Sequence, residues 1–169
     1  MKSFNDKVVW VTGASSGIGK ELAIQLAKQN AKIILSSRNS EQLELIHKSL
    51  KSPDKHMILP LDLSHQKNFD ELTQKVIDKY GNIDFLFNSG GVSQRSEASE
   101  TGLEVDRKIM EINYFGNIAL TKAVLPQMQK QKSGHIVVTS SIAGKFGFYL
   151  RSAYSASKHA LHGFYESLC

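Results

Sequence analysis

Two residues near the end of the sequence could do acid–base chemistry together: Tyr154 and Lys158, in the run YSASK. Residues four apart on a helix share a face, so the phenol and the ammonium would sit side by side. A free tyrosine has a pKa of about 10, too high to exchange protons well near neutrality. A neighbouring ammonium favours the phenolate and lowers that value. Such a pair suits the interconversion of a hydroxyl and a carbonyl. Taken alone, Y-x-x-x-K also describes two unrelated neighbours on a helix surface. A second candidate is VVWVTGASSGIG, Val8 to Gly19. A short apolar run ends there in a turn with Gly13, Gly17 and Gly19, and a helical pattern follows with Ile18, Leu22 and Leu26 on one face. Free N–H groups and the positive end of the helix dipole make such a turn an anion site. Gly13 allows the tight turn, Gly17 lets a phosphate-bearing ligand approach the backbone, and Gly19 lets helix and strand pack closely. The spacing is G-x-x-x-G-x-G, and a plain tight connection is the competing reading.

The end of the second apolar run discriminates between dinucleotides. A carboxylate there bonds the ribose 2′-hydroxyl of NAD and repels a 2′-phosphate. This sequence has Ser36, Ser37 and Arg38 instead. Arg38 can form a bidentate, charge-assisted bond to a phosphate and stack beside the adenine, which favours NADP(H). A solvated arginine at a strand end is the alternative.

These groups need a scaffold, and the apolar pattern supplies one. Strand-like runs at residues 8–11, 32–36, 56–61, 83–87 and 135–139 alternate with helical stretches. The helices are read at about 16–30, from Ser40 as N-cap through Leu43, Ile46 and Leu50, at 68–80 with Gly81 ending it, at about 105–129, and from about 152 onward. The fourth run, IDFLF, lacks alternation, as a strand buried on both faces would. Strand alternating with helix predicts an α/β fold: a doubly wound parallel sheet of the Rossmann type, with residues 1–169 as one domain. Five strands leave the order 3-2-1-4-5-6 without its sixth, so the fold is expected to be incomplete at its C-terminal end, with the fifth strand as an apolar edge. The chain then reads as a fragment, or as a gene product lacking a part.

Composition narrows the function. With 41% apolar and 22% charged residues in 169, the sequence reads as an ordinary globular protein. No run approaches the roughly 18 apolar residues of a membrane span, and MKSFNDKVVW is too short and polar for a signal peptide; a cytoplasmic protein is expected. The net charge of +5 comes from lysines dispersed among acids, which is no nucleic-acid stripe. Cys169, the single cysteine, reads as a bystander thiol. The six histidines lack metal-ligand spacing, His159 and His162 included, so no catalytic metal is expected.

TGASSGIG, LPLDLS, NSGG, EINYFGN, VVTSSIAG and YSASK stand in the order and on the elements of one family, and from about Asp6 onward the chain resembles the short-chain dehydrogenase/reductases. SGGVSQRS and SKHALHGFYESL resemble one subgroup within it. The resemblance implies cofactor contacts at Gly13, Ser15, Ser16, Gly17, Ile18, Gly19, Ser37, Arg38, Asp62, Leu63, Asn88, Gly90, Tyr154 and Lys158. Ser37 stands where NAD-preferring members usually carry Asp. Asp62 is similar to the family residue that bonds the adenine amino group, although Asp also starts turns after strands. Asn88 opens NSGG, where Ser89 and Gly90 depart from the family's NNAG. The implied catalytic set is Asn113, Ser141, Tyr154 and Lys158. Ser141, thirteen residues before the tyrosine, would bond the substrate oxygen as charge develops on it, with Ser140 structural. Asn113 would kink the long helix and hold a water behind the lysine; a satisfied interior amide is the other reading.

The expected activity is reversible hydride transfer between NADP(H) and a small-molecule alcohol or carbonyl, and the resemblance implies a homodimer or homotetramer in the full-length form. A nucleotide-binding module without turnover is the competing function. A nucleotide-sugar epimerase fits poorly, because its branch spaces its glycines differently and needs a second domain. Val92 to Arg95 and Phe146 to Leu150 offer a partly apolar substrate wall.

Overall fold

The apolar run that opens the sequence becomes the central strand of the molecule. The computed structural model describes residues 4–168, so Cys169 lies outside the described residues. Strand β1 (Val8–Thr12) is flanked by β2 (Lys32–Ser36) and β4 (Phe85–Asn88), with β3 (Met57–Ile58) and β5 (His135–Val138) outside them. The order is β3-β2-β1-β4-β5 and every pairing is parallel. Successive side chains of β1 enter opposite cores, which is why the run is apolar throughout. Val8 and Trp10 pack with Phe69, Leu72 and Val76 of α3 (Phe69–Tyr80) and Leu120 and Val124 of α5 (Asn117–Lys130). Val9 and Val11 pack with Ala23 and Leu26 of α1 (Gly17–Lys28) and Leu43 and Ile46 of α2 (Ser40–Ser49). Helix α4 (Leu103–Met110) leads into α5, and α6 (Ser152–Glu166) packs against α4. This is the doubly wound, Rossmann-type α/β arrangement. No helix among the described residues is long and apolar enough to cross a membrane.

Four expectations need correction. The cap of α2 is Asn39, whose side chain accepts from the Gln42 amide at 3.0 Å, and Ser40 is the first helical residue. Strand β3 has two residues rather than six. Pro60 has no N–H to give the ladder, although Leu59 and Leu61 still donate to Leu35 and Ser37 at 2.9 and 3.1 Å. Strand β4 alternates: Leu86 and Asn88 are buried, while Phe85 and Phe87 are half-buried. The predicted helix at 105–129 is two α-helices joined by a π-helical turn, Glu111–Gly116. A wide turn displaces the usual carbonyl acceptors, and Asn117 Nδ2 takes up two of them, Asn113 O at 2.8 Å and Ile112 O at 3.3 Å.

Candidate active site

At the C-terminal ends of the strands, where the chain turns from one side of β1 to the other, the sheet opens into a cleft of about 550 Å³. Gly13, Ser15, Ser16, Gly17, Ile18, Gly19, Ser37, Arg38, Asp62, Leu63 and Gly90 all line it. Backbone packing explains the glycines. A Cβ on Gly13 would lie 2.9 Å from the Gly90 backbone, and one on Gly19 would lie 2.5 Å from Gly13 O, so turn, helix and neighbouring loop touch main chain to main chain. Gly17 adopts φ +52, a left-handed conformation, and nothing lies within 4 Å of where its Cβ would be. No side chain caps the N-terminus of α1 and its first turn has no acid, so its amides fit an anion such as a pyrophosphate. Ile18 is 67% exposed at the cleft instead of packing with Leu26, which is the buried member of the predicted face.

The far wall carries the charged side chains of the cleft, Arg38 and Asp62. Ser36 is turned inward: its hydroxyl accepts from Trp10 Nε1 at 2.8 Å and donates to Leu59 O at 2.6 Å. Ser37 and Arg38 are left to face the cleft, with Arg38 exposed. Asp62 accepts from the Ser64 amide and hydroxyl at 2.9 and 2.8 Å. Burial raises its pKa, but the bonds from Ser64 and His65 and the Arg38 charge outweigh that and hold the carboxyl below its usual value.

Of the predicted cofactor residues, Tyr154 and Lys158 stand apart from this cleft, and so does Asn88. Alternation along β4 turns it inward, where its Nδ2 donates to Thr121 Oγ1 at 2.9 Å and Tyr165 OH at 3.0 Å. The residue that ties β1 to the loop after β4 is Thr12, whose Oγ1 accepts from the amides of Ser89 and Gly90, both at 3.1 Å. Sequence reading passed over Thr12, although a hydroxyl closing an apolar strand beside a glycine was the available signal.

The loop after β4 carries the cleft toward the residues predicted to do chemistry. Gly91 and Val92 line the cleft, and Ser93 lines a second pocket of about 320 Å³ with Ser141, Ile142, Ala143, Phe148, Arg151 and Tyr154. Lys158 Nζ lies 5.7 Å from the Tyr154 ring centroid, and a Cβ on Gly91 would stand 3.9 Å from the same Nζ. Lys158 is buried and donates to Thr139 O at 2.8 Å. Burial without a carboxylate lowers its pKa from the ordinary lysine value. Ser141 starts the short turn Ile142–Gly144, its Oγ accepting from the Ala143 amide at 3.1 Å. Ser140 points the other way, 2.9 Å from His162 Nε2.

Asn113 sits in the π-helical turn, fully buried. Its Oδ1 accepts from the Val92 amide at 2.8 Å, and its Nδ2 donates to Val92 O at 2.8 Å and Ser157 Oγ at 3.0 Å. The side chain is thus a satisfied interior amide that clamps the loop to α6, and the Asn113 carbonyl is reached by Asn117. An Asn at i and i+4 in NYFGN was the sequence signal for Asn117, which also donates to Gly90 O at 3.3 Å.

The family model for short chain dehydrogenase matches residues 7–169. The mouse protein dehydrogenase/reductase SDR family member 7 is 47% identical over 96% of this chain and 50% of its own length. A fruit-fly protein, dehydrogenase/reductase SDR family protein 7-like, is 44% identical over 96% of this chain and 51% of its own. The chain thus spans about half the length of the curated relatives it matches. Among solved structures, a short-chain dehydrogenase from Streptomyces avermitilis superposes with a TM-score of 0.92 at 35% identity, over 99% of this chain and 61% of that one. A short chain dehydrogenase from Shigella flexneri, complexed with NADP, gives 0.92 at 33% identity, over 99% of this chain and 73% of that one. The chain belongs to the short-chain dehydrogenase/reductase family of oxidoreductases.

Proposed function

We propose that the 169 residues form one NADP(H)-binding unit that interconverts a hydroxyl and a carbonyl on a small molecule in the cytoplasm, the full-length form being a homodimer or homotetramer. One observation carries this reading: a single loop, residues 90–93, walls the anion-binding cleft on one side and the pocket of Ser141 and Tyr154 on the other. The uncapped amides of α1 would hold the pyrophosphate, Ser37 and Arg38 the ribose phosphate, and Asp62 and Leu63 the adenine. The lack of any acid at Ser37 and Arg38 favours NADP(H), and the NADP complex of the Shigella flexneri relative agrees with it.

When bound, the nicotinamide supplies or accepts the hydride at the substrate carbon. Ser141 Oγ and Tyr154 OH would hydrogen-bond the substrate oxygen, where negative charge grows during reduction. Tyr154 gives that oxygen its proton, and takes it back in the oxidative direction. The Lys158 ammonium, fixed by Thr139 O, stabilises the phenolate left behind. Asn113 keeps the two walls in register through Val92 and Ser157.

Nucleotide binding without turnover is favoured by a different observation, the exposure of Ile142 and Phe148 on the wall of the pocket. Fluorescence titration with NADPH and NADH, followed by a carbonyl screen, separates the readings. Saturable binding that prefers NADPH, with turnover, upholds the first. Binding without turnover of any carbonyl upholds the second. Preference for NADH overturns the Arg38 assignment.

A further inference from the structure

We propose that the substrate carries a carboxylate and that Arg151 recognises it. This rests on reading the pocket of Ser141 and Tyr154 as the place where the carbonyl is held. Arg151 lines that same pocket, three residues before Tyr154 at the head of α6. Its Nη1 donates to Ser93 Oγ at 2.6 Å and to Gln94 O at 2.5 Å, which fixes the guanidinium against the loop after β4. The loop is held in turn: Gln94 Oε1 accepts from the Tyr154 amide at 3.1 Å, and Ser96 N donates to Leu150 O at 3.3 Å. A guanidinium has five N–H donors, and both bonds use Nη1. Nε and Nη2 therefore have no protein acceptor among the described residues.

The charge is also unpaired. No ion pair among the described residues involves Arg151, and the nearby Glu97 takes the Tyr149 hydroxyl at 2.6 Å. A fixed, unpaired cation with a free donor edge matches the planar fork of a carboxylate. Ser141 and Tyr154 in the same pocket supply two hydroxyls for a carbonyl oxygen. The rest of the wall, beyond these groups and Ser93, is apolar: Ile142, Ala143 and Phe148. The complementary molecule has a carbonyl and a carboxylate joined by an apolar spacer, which makes it a keto acid or the matching hydroxy acid.

Aryl keto acids with one to four methylenes between carbonyl and carboxylate, each paired with its methyl ester, test this with NADPH as reductant. The expected result is a kcat/KM ratio of acid to ester of about tenfold or more at the best spacer length. That ratio collapses in Arg151→Gln and is partly kept in Arg151→Lys. Esters reduced as well as acids at every length, or a preference intact in Arg151→Gln, would overturn the assignment. The comparison within the unaltered protein holds even if a variant fails to fold. If no member is reduced, the oxidoreductase reading of the pocket fails, and ligand-observed NMR of the acids with NADP⁺-containing protein decides the inference separately. Acid binding lost in Arg151→Gln upholds it, and no acid binding overturns it.

Discussion

The cleft beside β1 and the pocket beside Tyr154 share a loop but are made of different material. The cleft is walled by main chain: Gly13 lies against Gly90, Gly19 against Gly13 O, and Thr12 Oγ1 holds two amides of the facing loop. The pocket is walled by side chains at the surface, with Ile142 66% and Phe148 45% exposed. Backbone contacts leave no room for variation, because any Cβ there collides with atoms that cannot rotate away. Exposed side chains can change without disturbing a core, so one scaffold can keep its cofactor and exchange its substrate.

Chemistry should separate from binding most sharply at Tyr154. Tyr154→Phe is expected to lower kcat by about 10²–10⁴-fold while NADPH affinity, read by fluorescence, stays close to the parent value. Residual turnover near the parent rate would remove Tyr154 as the acid. In the cleft the largest effect is expected from Gly13→Val. A side chain at φ +66, pressed on the Gly90 backbone, should cost about 3 kcal/mol or more and abolish NADPH binding. Urea unfolding measures this, and a variant as stable as the parent would show that the two loops can separate. Ser37→Asp puts a carboxylate beside Arg38 and is expected to shift the NADP/NAD preference toward NAD by about tenfold or more; unchanged ratios of Kd would clear Ser37 of any part.

The buried lysine supplies a smaller, pH-dependent effect. Its folded pKa lies below its unfolded one, so between the two the unfolded chain binds more protons and stability rises with pH. Thermal unfolding of Lys158→Met should lose that rise, whereas a parallel curve would mean that the ammonium is better solvated than its burial implies. Activity that needs the ammonium should fall earlier in the alkaline range than an ordinary lysine would allow. The smallest effect belongs to the exposed wall. Ile142→Ser should change stability by less than about 0.5 kcal/mol and leave NADPH binding intact, while KM for an apolar carbonyl rises. A marked loss of stability there would erase the contrast between the two regions.

The same contrast governed what could be read from the residues. VVWVTGASSGIG announces strand, turn and helix because each glycine answers a local backbone demand, and YSASK announces a shared helical face. Asn88 was misplaced because alternation in a strand can be read only once both faces are known, and both apolar and polar neighbours surround it. The clamp of Asn113 on Val92 and Ser157 was hidden because it joins residues 21 and 44 positions apart. Asn39 displaced Ser40 as a cap by one position, a choice between two good capping residues that only the φ and ψ of the turn decide. Arg151 gave no signal of its own, since an arginine before a helix reads as solvated until the loop that fixes it is seen.

Trp10, the single tryptophan of the sequence, is fully buried in β1, and its indole N–H is bound to Ser36. Ser36 ends β2, and directly after it come Ser37 and Arg38, the candidate contacts to the ribose phosphate. The molecule therefore carries its own optical probe of the cleft. Its ultraviolet emission should be that of an indole shielded from water, and a reduced nicotinamide bound nearby would quench it by energy transfer while brightening itself. Unfolding would shift the same emission to the red. Occupancy of the cleft and integrity of the sheet can thus be followed from one chromophore, without labelling, in every variant that keeps Trp10.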